Sequence, residues 1–235
     1  MSPERDPQPV PQPSRRAFLK WGAGVTAVGA AATFGYTFLV EPFWWQAVHL
    51  ELPIANLPSE LVGRTLVQIS DLHIGPRVDE EWITKSVRSI AAFDPDIVVI
   101  TGDIVHYLEP KDAEQASRVL EGLPHGRLAT LAILGNHDYA CGWGDVEAAH
   151  DVARRLEDLG VEVLRNELRE VSGLQVVGLD DLWAKQFAPG QVLPQVDRER
   201  ASLVLSHNPD TADEPGWDGW RGWILSGHTH GGQCK

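Results

Sequence analysis

Five short apolar runs in this chain each end on groups that can bind a cation. "TLVQIS" (65–70) runs into Asp71-Leu72-His73, and "DIVVIT" (96–101) into Gly102-Asp103. "LATLAIL" (128–134) is followed by Gly135-Asn136-His137-Asp138, and "SLVLS" (202–206) by His207-Asn208-Pro209-Asp210. "GWILS" (222–226) leads to Gly227-His228-Thr229-His230-Gly231-Gly232-Gln233. Apolar runs this short and continuous suit strands covered on both faces. Segments 79–93, 111–123 and 145–160 have apolar residues at helical spacing, the first with Asp79, Glu80 and Glu81 in its opening turn, where the helix dipole favours them. Further strands are expected at "VEVLRN" (161–166) and "LQVVGL" (174–179). The alternation predicts an α/β domain whose first half is mostly parallel. Ligands of such sheets bind beyond the carboxyl ends of the strands, where the polar clusters fall.

The spacing inside the clusters has a physical sense. Asp71 and His73 are two residues apart, as are His228 and His230. In extended backbone such pairs point to one side and aim two ligands at one place. Glycines beside them let backbone approach without a Cβ clash. A lone Asp-x-His is usually a polar loop, and a lone Asn-His-Asp usually a turn. Five such clusters, each directly after an apolar strand, point instead to a metal site. Mixed nitrogen and oxygen donors suit Zn, Mn or Fe better than Ca or Mg. Asp103, alone after a central strand, is the candidate to bridge two ions. His49, His125 and His150 read as structural or surface residues.

Length and charge narrow the partners. A chain of 235 residues holds one large domain or two small ones. The net charge is −13, with +2 on the first 40 residues and −15 on residues 41–235. So acidic a body repels polyanions, which argues against nucleic acid as a partner. It does not exclude a small phosphate-bearing substrate, because a bound metal can invert the local field. The two cysteines, Cys141 and Cys234, make no disulfide framework; one bridge or two free thiols both fit.

The front of the chain is a targeting segment. A Pro- and Gln-rich leader (1–13) without a core pattern reads as disordered. "SRRAFLK" (14–20) then precedes 20 uncharged residues, Trp21 to Val40, and paired arginines ahead of an apolar stretch mark a twin-arginine export signal. "AAA" at 30–32 offers a small-residue cleavage site. Against cleavage, 20 helical residues span about 30 Å, a bilayer core, and Phe43, Trp44 and Trp45 fall where an aromatic belt sits. The expectation is a retained anchor over residues 1–45, with the basic side in the cytoplasm, and a catalytic domain over 46–235 facing out.

"DLH", "GD", "GNHD", "SHNPD" and "GHTHGGQ", in this order, resemble the calcineurin-like metallophosphoesterase superfamily over roughly residues 60–233. "VEVLRNE" and the "HNPD" form of the fourth motif resemble its membrane- or cell-envelope-associated bacterial branch. The resemblance implies a two-layer β-sandwich flanked by helices, with a two-metal centre at its edge. It implies that Asp71, His73, Asp103 and His230 hold the first metal, and Asp103, Asn136, His207 and His228 the second. His137 would sit unligated near the scissile phosphate, with Asp138 as its orienting partner. Two departures stand out. His106 occupies a position where the family often has Asp. The family normally continues past the final motif, so the chain reads as C-terminally truncated at Lys235.

The expected activity is metal-dependent hydrolysis of a phosphodiester or pyrophosphate through a two-metal centre and bridging hydroxide, outside the cytoplasmic membrane. The substrate would be a small or lipid-linked phosphoester. A phosphomonoesterase or protein phosphatase would use the same centre. A non-catalytic scaffold of this fold would have lost ligands, and this chain keeps all seven positions. A nuclease conflicts with the charge.

Overall fold

A computed structural model describes residues 14–106, 109 and 111–232. The leader 1–13 and Cys234 lie outside them. The chain divides into two units, Met1–His49 and Leu50–Lys235.

In the first unit, α1 (Arg15–Leu39) begins where the Ser14 hydroxyl accepts the Ala17 N–H at 3.2 Å. Its 25 residues make a helix of about 37 Å. None of its side chains is buried, and it is long and apolar enough to cross a membrane.

The second unit is built from two four-stranded sheets. The first takes β1 (Leu66–Ile69), β2 (Ile97–Thr101), β3 (Ala129–Ile133) and β4 (Glu162–Val163), side by side in that order and all parallel. Its crossovers carry α2 (Glu80–Ser89), α3 (Lys111–Leu120) and α4 (Val146–Asp158). The second sheet takes β5 (Glu167–Val171), β6 (Leu174–Gly178), β7 (Ser202–Leu205) and β8 (Trp223–Leu225), with the short α5 (Pro189–Val192) between β6 and β7. Among the described strands of this sheet only the β5–β6 pair is antiparallel.

Alternate residues of β2 show why these runs are apolar throughout. Ile97 and Val99 turn towards the second sheet, meeting Leu131, Ile133, Val176, Leu203 and Leu205 in the core of the sandwich. Val98 and Ile100 turn the other way, onto Ile83 and Val87 of α2, Val119 of α3 and Val152 and Leu156 of α4. A strand buried on both faces cannot alternate in polarity. The outer face of the second sheet, through Val177 and Val204, is covered by Val192 and Leu193. The expected helix-flanked sandwich is thus observed.

Local differences have local causes. The helix expected over 79–93 starts at the Asp79 cap, whose carboxylate accepts the Trp82 N–H at 2.7 Å. It tightens to a 3₁₀ turn over Ile90–Phe93 and stops at Asp94 in the left-handed region (φ 46°). Of the strand expected at 161–166 only Glu162 and Val163 pair, since Arg165 turns its guanidinium to Asp180 and Asn166 adopts φ 57°. β5 was not expected, because Glu167, Arg169 and Glu170 give it a charged composition. It is an edge strand held in register by a tight Ser172-Gly173 turn, both residues at positive φ as a twisted hairpin requires.

Candidate metal centre

β1, β2 and β8 end close to where their apolar runs end, and the residues just beyond them are wound sharply out of the strand. Asp71 (φ 55°), His73 (44°), Asp103 (52°), His228 (69°) and His230 (48°) all occupy the left-handed region. Each such residue costs about 1–3 kcal/mol and persists only where its surroundings enforce it. The enforcement is visible. The Asp71 and His73 N–H groups donate to the carbonyls of Gly102 and Asp103, both at 3.0 Å. The His228 N–H donates to Asp71 Oδ1 at 2.8 Å, and the His137 N–H to Asp103 Oδ1 at 2.9 Å. Glycine is needed where the loops touch. A Cβ on Gly102 would stand 2.6 Å from His207 Nδ1, and one on Gly227 2.6 Å from Asp71 Oδ2.

The outcome is two contiguous groups of donor atoms. In the first, His73 Nε2 lies 3.0 Å from His230 Nε2 and 3.5 Å from Asp103 Oδ2, and His230 Nε2 lies 3.6 Å from Asp71 Oδ1. In the second, Asp103 Oδ2 lies 3.2 Å from His207 Nε2. His207 Nε2 is 3.3 Å from His228 Nδ1, which is 3.1 Å from Asn136 Oδ1. Asp103 Oδ2 belongs to both groups, and Asp103 is only 2% exposed. Donors bound to one ion at about 2.0–2.2 Å stand about 2.8–3.6 Å from one another in octahedral or tetrahedral arrangements. All six separations fall in that window. All seven residues expected from the sequence as ligands are therefore brought together.

Two of the donors, His73 and His228, are neutral imidazoles, whereas His207 is held protonated by Asp103 and would give up a proton to an ion. Burial, against the attraction of Asp103, lowers His73 to about 4, so its imidazole is neutral at pH 7. His228 is lowered too, by burial and then by the neighbouring His207. Burial would also lower His207, but the hydrogen bond and charge of Asp103, with the Thr101 carbonyl, hold it up at about 9. Asp103 itself is held below the usual carboxylate range, its burial outweighed by His207. His207 Nδ1 faces the Thr101 carbonyl at 2.7 Å and must donate to it. That fixes the ring and leaves Nε2 as the atom offered to an ion.

The remaining expectations divide. The His137 ring lies beside the centre, 4.7 Å from the His73 ring. Asp138 does not orient it: Asp138 Oδ1 accepts the Val105 N–H at 3.0 Å and Oδ2 the Gly135 N–H at 2.8 Å. Asp138 is a buried loop clamp, pushed up to about 8 by burial and by the charge of Asp103. The group facing His137 Nδ1 is the His106 carbonyl, at 3.4 Å. His106 joins His73 and His137 in a third cluster of potential donors. His125 lies apart, against the Thr130 hydroxyl at 3.2 Å. Cys141 is exposed and free among the described residues, which do not include Cys234.

Two features escaped sequence reading. Asn208 Oδ1 accepts the Leu182 N–H at 3.1 Å, tying the loop after β6 to the fourth motif. On that loop stands Trp183, and with Trp143 it flanks the centre: the Trp183 ring is 4.3 Å from the His228 ring, and the Trp143 ring 6.4 Å from that of His137. Neither tryptophan directly follows an apolar run, and neither sits in a motif.

Residues 64–232 match the family model described as calcineurin-like phosphoesterase. The chain belongs to the calcineurin-like phosphoesterase family. This phosphoesterase also matches the model of the twin-arginine translocation signal over residues 12–33, which marks it for export across the cytoplasmic membrane. It is 31% identical over 230 residues to the phosphodiesterase YaeI of Escherichia coli, covering 94% of this chain and 79% of the relative. It is 29% identical over 268 residues to the UDP-2,3-diacylglucosamine pyrophosphatase LpxG of Chlamydia trachomatis, covering 89% and 79%. The uncharacterized metallophosphoesterase YkuE of Bacillus subtilis is 30% identical over 235 residues, covering 94% and 78%. The phosphoesterase is accordingly a hydrolase of phosphoester bonds.

Proposed function

We propose that the enzyme hydrolyses a phosphodiester or pyrophosphate bond at a centre for two divalent cations. The first would be held by Asp71, His73, Asp103 and His230, the second by Asp103, Asn136, His207 and His228. The observation that carries this is the pair of donor groups sharing Asp103 Oδ2, spaced as ligands of bound ions are. Ions bound there would supply positive charge to the phosphoryl oxygens and acidify a water for attack. Mn, Zn and Fe suit the donor set.

The chain's own residues do the rest. Asp103 links the two groups and, through Oδ1, fixes the His137 backbone. With Nδ1 towards the His106 carbonyl, His137 is left with Nε2 to hydrogen-bond a phosphoryl oxygen or give a proton to the leaving oxygen. The neutral rings of His73 and His228 offer lone pairs without prior loss of a proton.

The relatives named a phosphodiesterase and a pyrophosphatase support a diester or pyrophosphate over a monoester. We further propose that α1 is retained as an anchor, so the catalytic domain works outside the membrane on a small or lipid-linked substrate, the segment ahead of the domain ending near residue 45. Its length supports this, as do the exposed Phe43, Trp44 and Trp45 just beyond it.

Metal-stripped protein, assayed on a panel of phosphodiesters, pyrophosphates and monoesters with Mn, Zn, Fe and Mg restored singly, tests the activity. Hydrolysis restricted to monoesters, or equal rates without metal, would refute it. Membrane fractions extracted at high pH test the anchor, which release of the mature protein into the soluble fraction would exclude.

A further inference from the structure

Trp143 and Trp183 are 37% and 40% exposed, yet their rings are held together, centroids 4.9 Å apart and tilted by 39°. The pair closes a continuous chain of rings around one side of the centre, from His137 through Trp143 and Trp183 to His228 and His207. Two half-exposed indoles beside a cluster of charges are not required by the core, whose apolar residues lie between and outside the sheets.

Both indoles are presented by backbone fixed for the purpose. Trp143 has φ 56°, a conformation that bulky residues rarely adopt. It follows Ala140 at φ 61°, ψ −168°, a region that is otherwise almost entirely glycine's. The Trp143 N–H donates to the Ala140 carbonyl at 3.1 Å, and Asp145 N–H to the Tyr139 carbonyl at 3.0 Å, closing this strained loop. The Tyr139 hydroxyl below it donates to the buried Asp180, which Arg165 also holds at 2.9 Å. Trp183 is fixed from both sides. The Leu182 N–H donates to Asn208 Oδ1, and the Ala184 N–H to Asp181 Oδ1 at 2.7 Å.

Resting on the metal centre proposed above, we infer that Trp143 and Trp183 form a stacking platform for a planar aromatic ring carried by the phosphoester substrate. A rigid indole face selects a flat partner, because stacking needs matched planes while a flexible chain gains only by area. The platform spans from His137 to His228, so a ring joined to the phosphorus through a few bonds rests on it while the phosphoryl group lies at the ions. A simple aryl ester and a nucleobase share this chemistry and differ in reach.

Calorimetric titration of the full chain, loaded with manganese, with methyl phosphate, butyl phosphate, phenyl phosphate and uridine 5′-monophosphate tests this. At least one aromatic ester should bind about tenfold more tightly than methyl phosphate. Phenyl phosphate as the tighter would place the ring on the ester oxygen, and the nucleotide would place it a ribose away. Trp143→Ala and Trp183→Ala should each remove most of the preference and shift methyl phosphate less than twofold, while Trp143→Phe and Trp183→Phe keep most of it. Should an alanine variant not fold, Trp143→Leu and Trp183→Leu remove the ring and keep apolar bulk. Equal affinity for methyl and aromatic esters, butyl phosphate binding as tightly as either aromatic, or a preference that survives loss of both indoles would each overturn the platform and leave the centre standing. Failure of all four phosphate esters to bind would overturn the centre and the platform with it.

Discussion

Adding one methyl group at Gly135 is the sharpest test of the shared carboxylate, because it removes no donor atom. Gly135 has φ −111° and ψ 178°, a conformation open to any residue, so Gly135→Ala carries no backbone penalty. What it lacks is space. The new Cβ would press on Asp103 Oδ1 and lie 2.6 Å from the Asp103 backbone nitrogen and 2.7 Å from His207 Cε1. Ordinary contacts stand about 3.5 Å apart, so Asp103 and His207 must retreat by nearly 1 Å. Metal sites tolerate about 0.2 Å of error in ligand position, and displaced support typically costs about 10–100-fold in affinity. A reacting group misplaced by about 1 Å costs about a hundredfold in rate. Overpacking should also lower stability by about 1–3 kcal/mol, several degrees of melting temperature. Elemental analysis, diester turnover with manganese restored, and thermal melting measure the three effects. Gly190→Ala is the control, since its Cβ would meet nothing within 4 Å. Wild-type metal content and turnover in Gly135→Ala would show that Asp103 and His207 do not need the positions described, and would sink the shared-oxygen reading.

Other expectations follow from the same geometry. Asp103→Ala should lose both metals, because its Oδ2 is the atom the two donor groups share; unchanged metal content refutes the assignment. His137→Ala should keep its metals and slow turnover about 10²–10⁴-fold, and wild-type rates on an aryl diester would remove His137 from the mechanism. In metal-stripped protein the His207 pKa, raised from about 6.5 to about 9, adds stability that is full below pH 6.5 and lost as pH rises through 9. Denaturant midpoints in chelator should fall across that window, and Asp103→Asn should abolish the fall. Lysines at Arg15 and Arg16 keep the charge, so Arg15→Lys with Arg16→Lys should block export, read as retention in the cytoplasm, if paired arginines rather than basic charge are recognised.

The donors were legible because each follows an apolar run, and strand ends in a parallel sheet converge on one edge. Other features depend on contacts between distant segments, which leave no local pattern. Asp138 looked like a partner for its neighbour His137, but adjacent side chains need not meet, and burial gave its oxygens to the Gly135 and Val105 amides. β5 was hidden by Glu167, Arg169 and Glu170, residues tolerated because an edge strand shows one face to water. The tryptophan platform was invisible because its two members lie 40 positions apart on loops with no periodicity. The left-handed φ values were equally unreadable, since Asp and His are only enriched in that conformation and here it is distant neighbours that enforce it.

Neither layer of the sandwich supplies all of the proposed ligands. Asp71, His73, Asp103 and Asn136 leave the first sheet, whereas His207, His228 and His230 leave the second. An ion seated among them would rivet one layer to the other, and its grip would gauge how faithfully the layers are aligned. A slide of one sheet across the other by a single rung would part the imidazoles from the carboxylates, although every strand kept its own ladder intact.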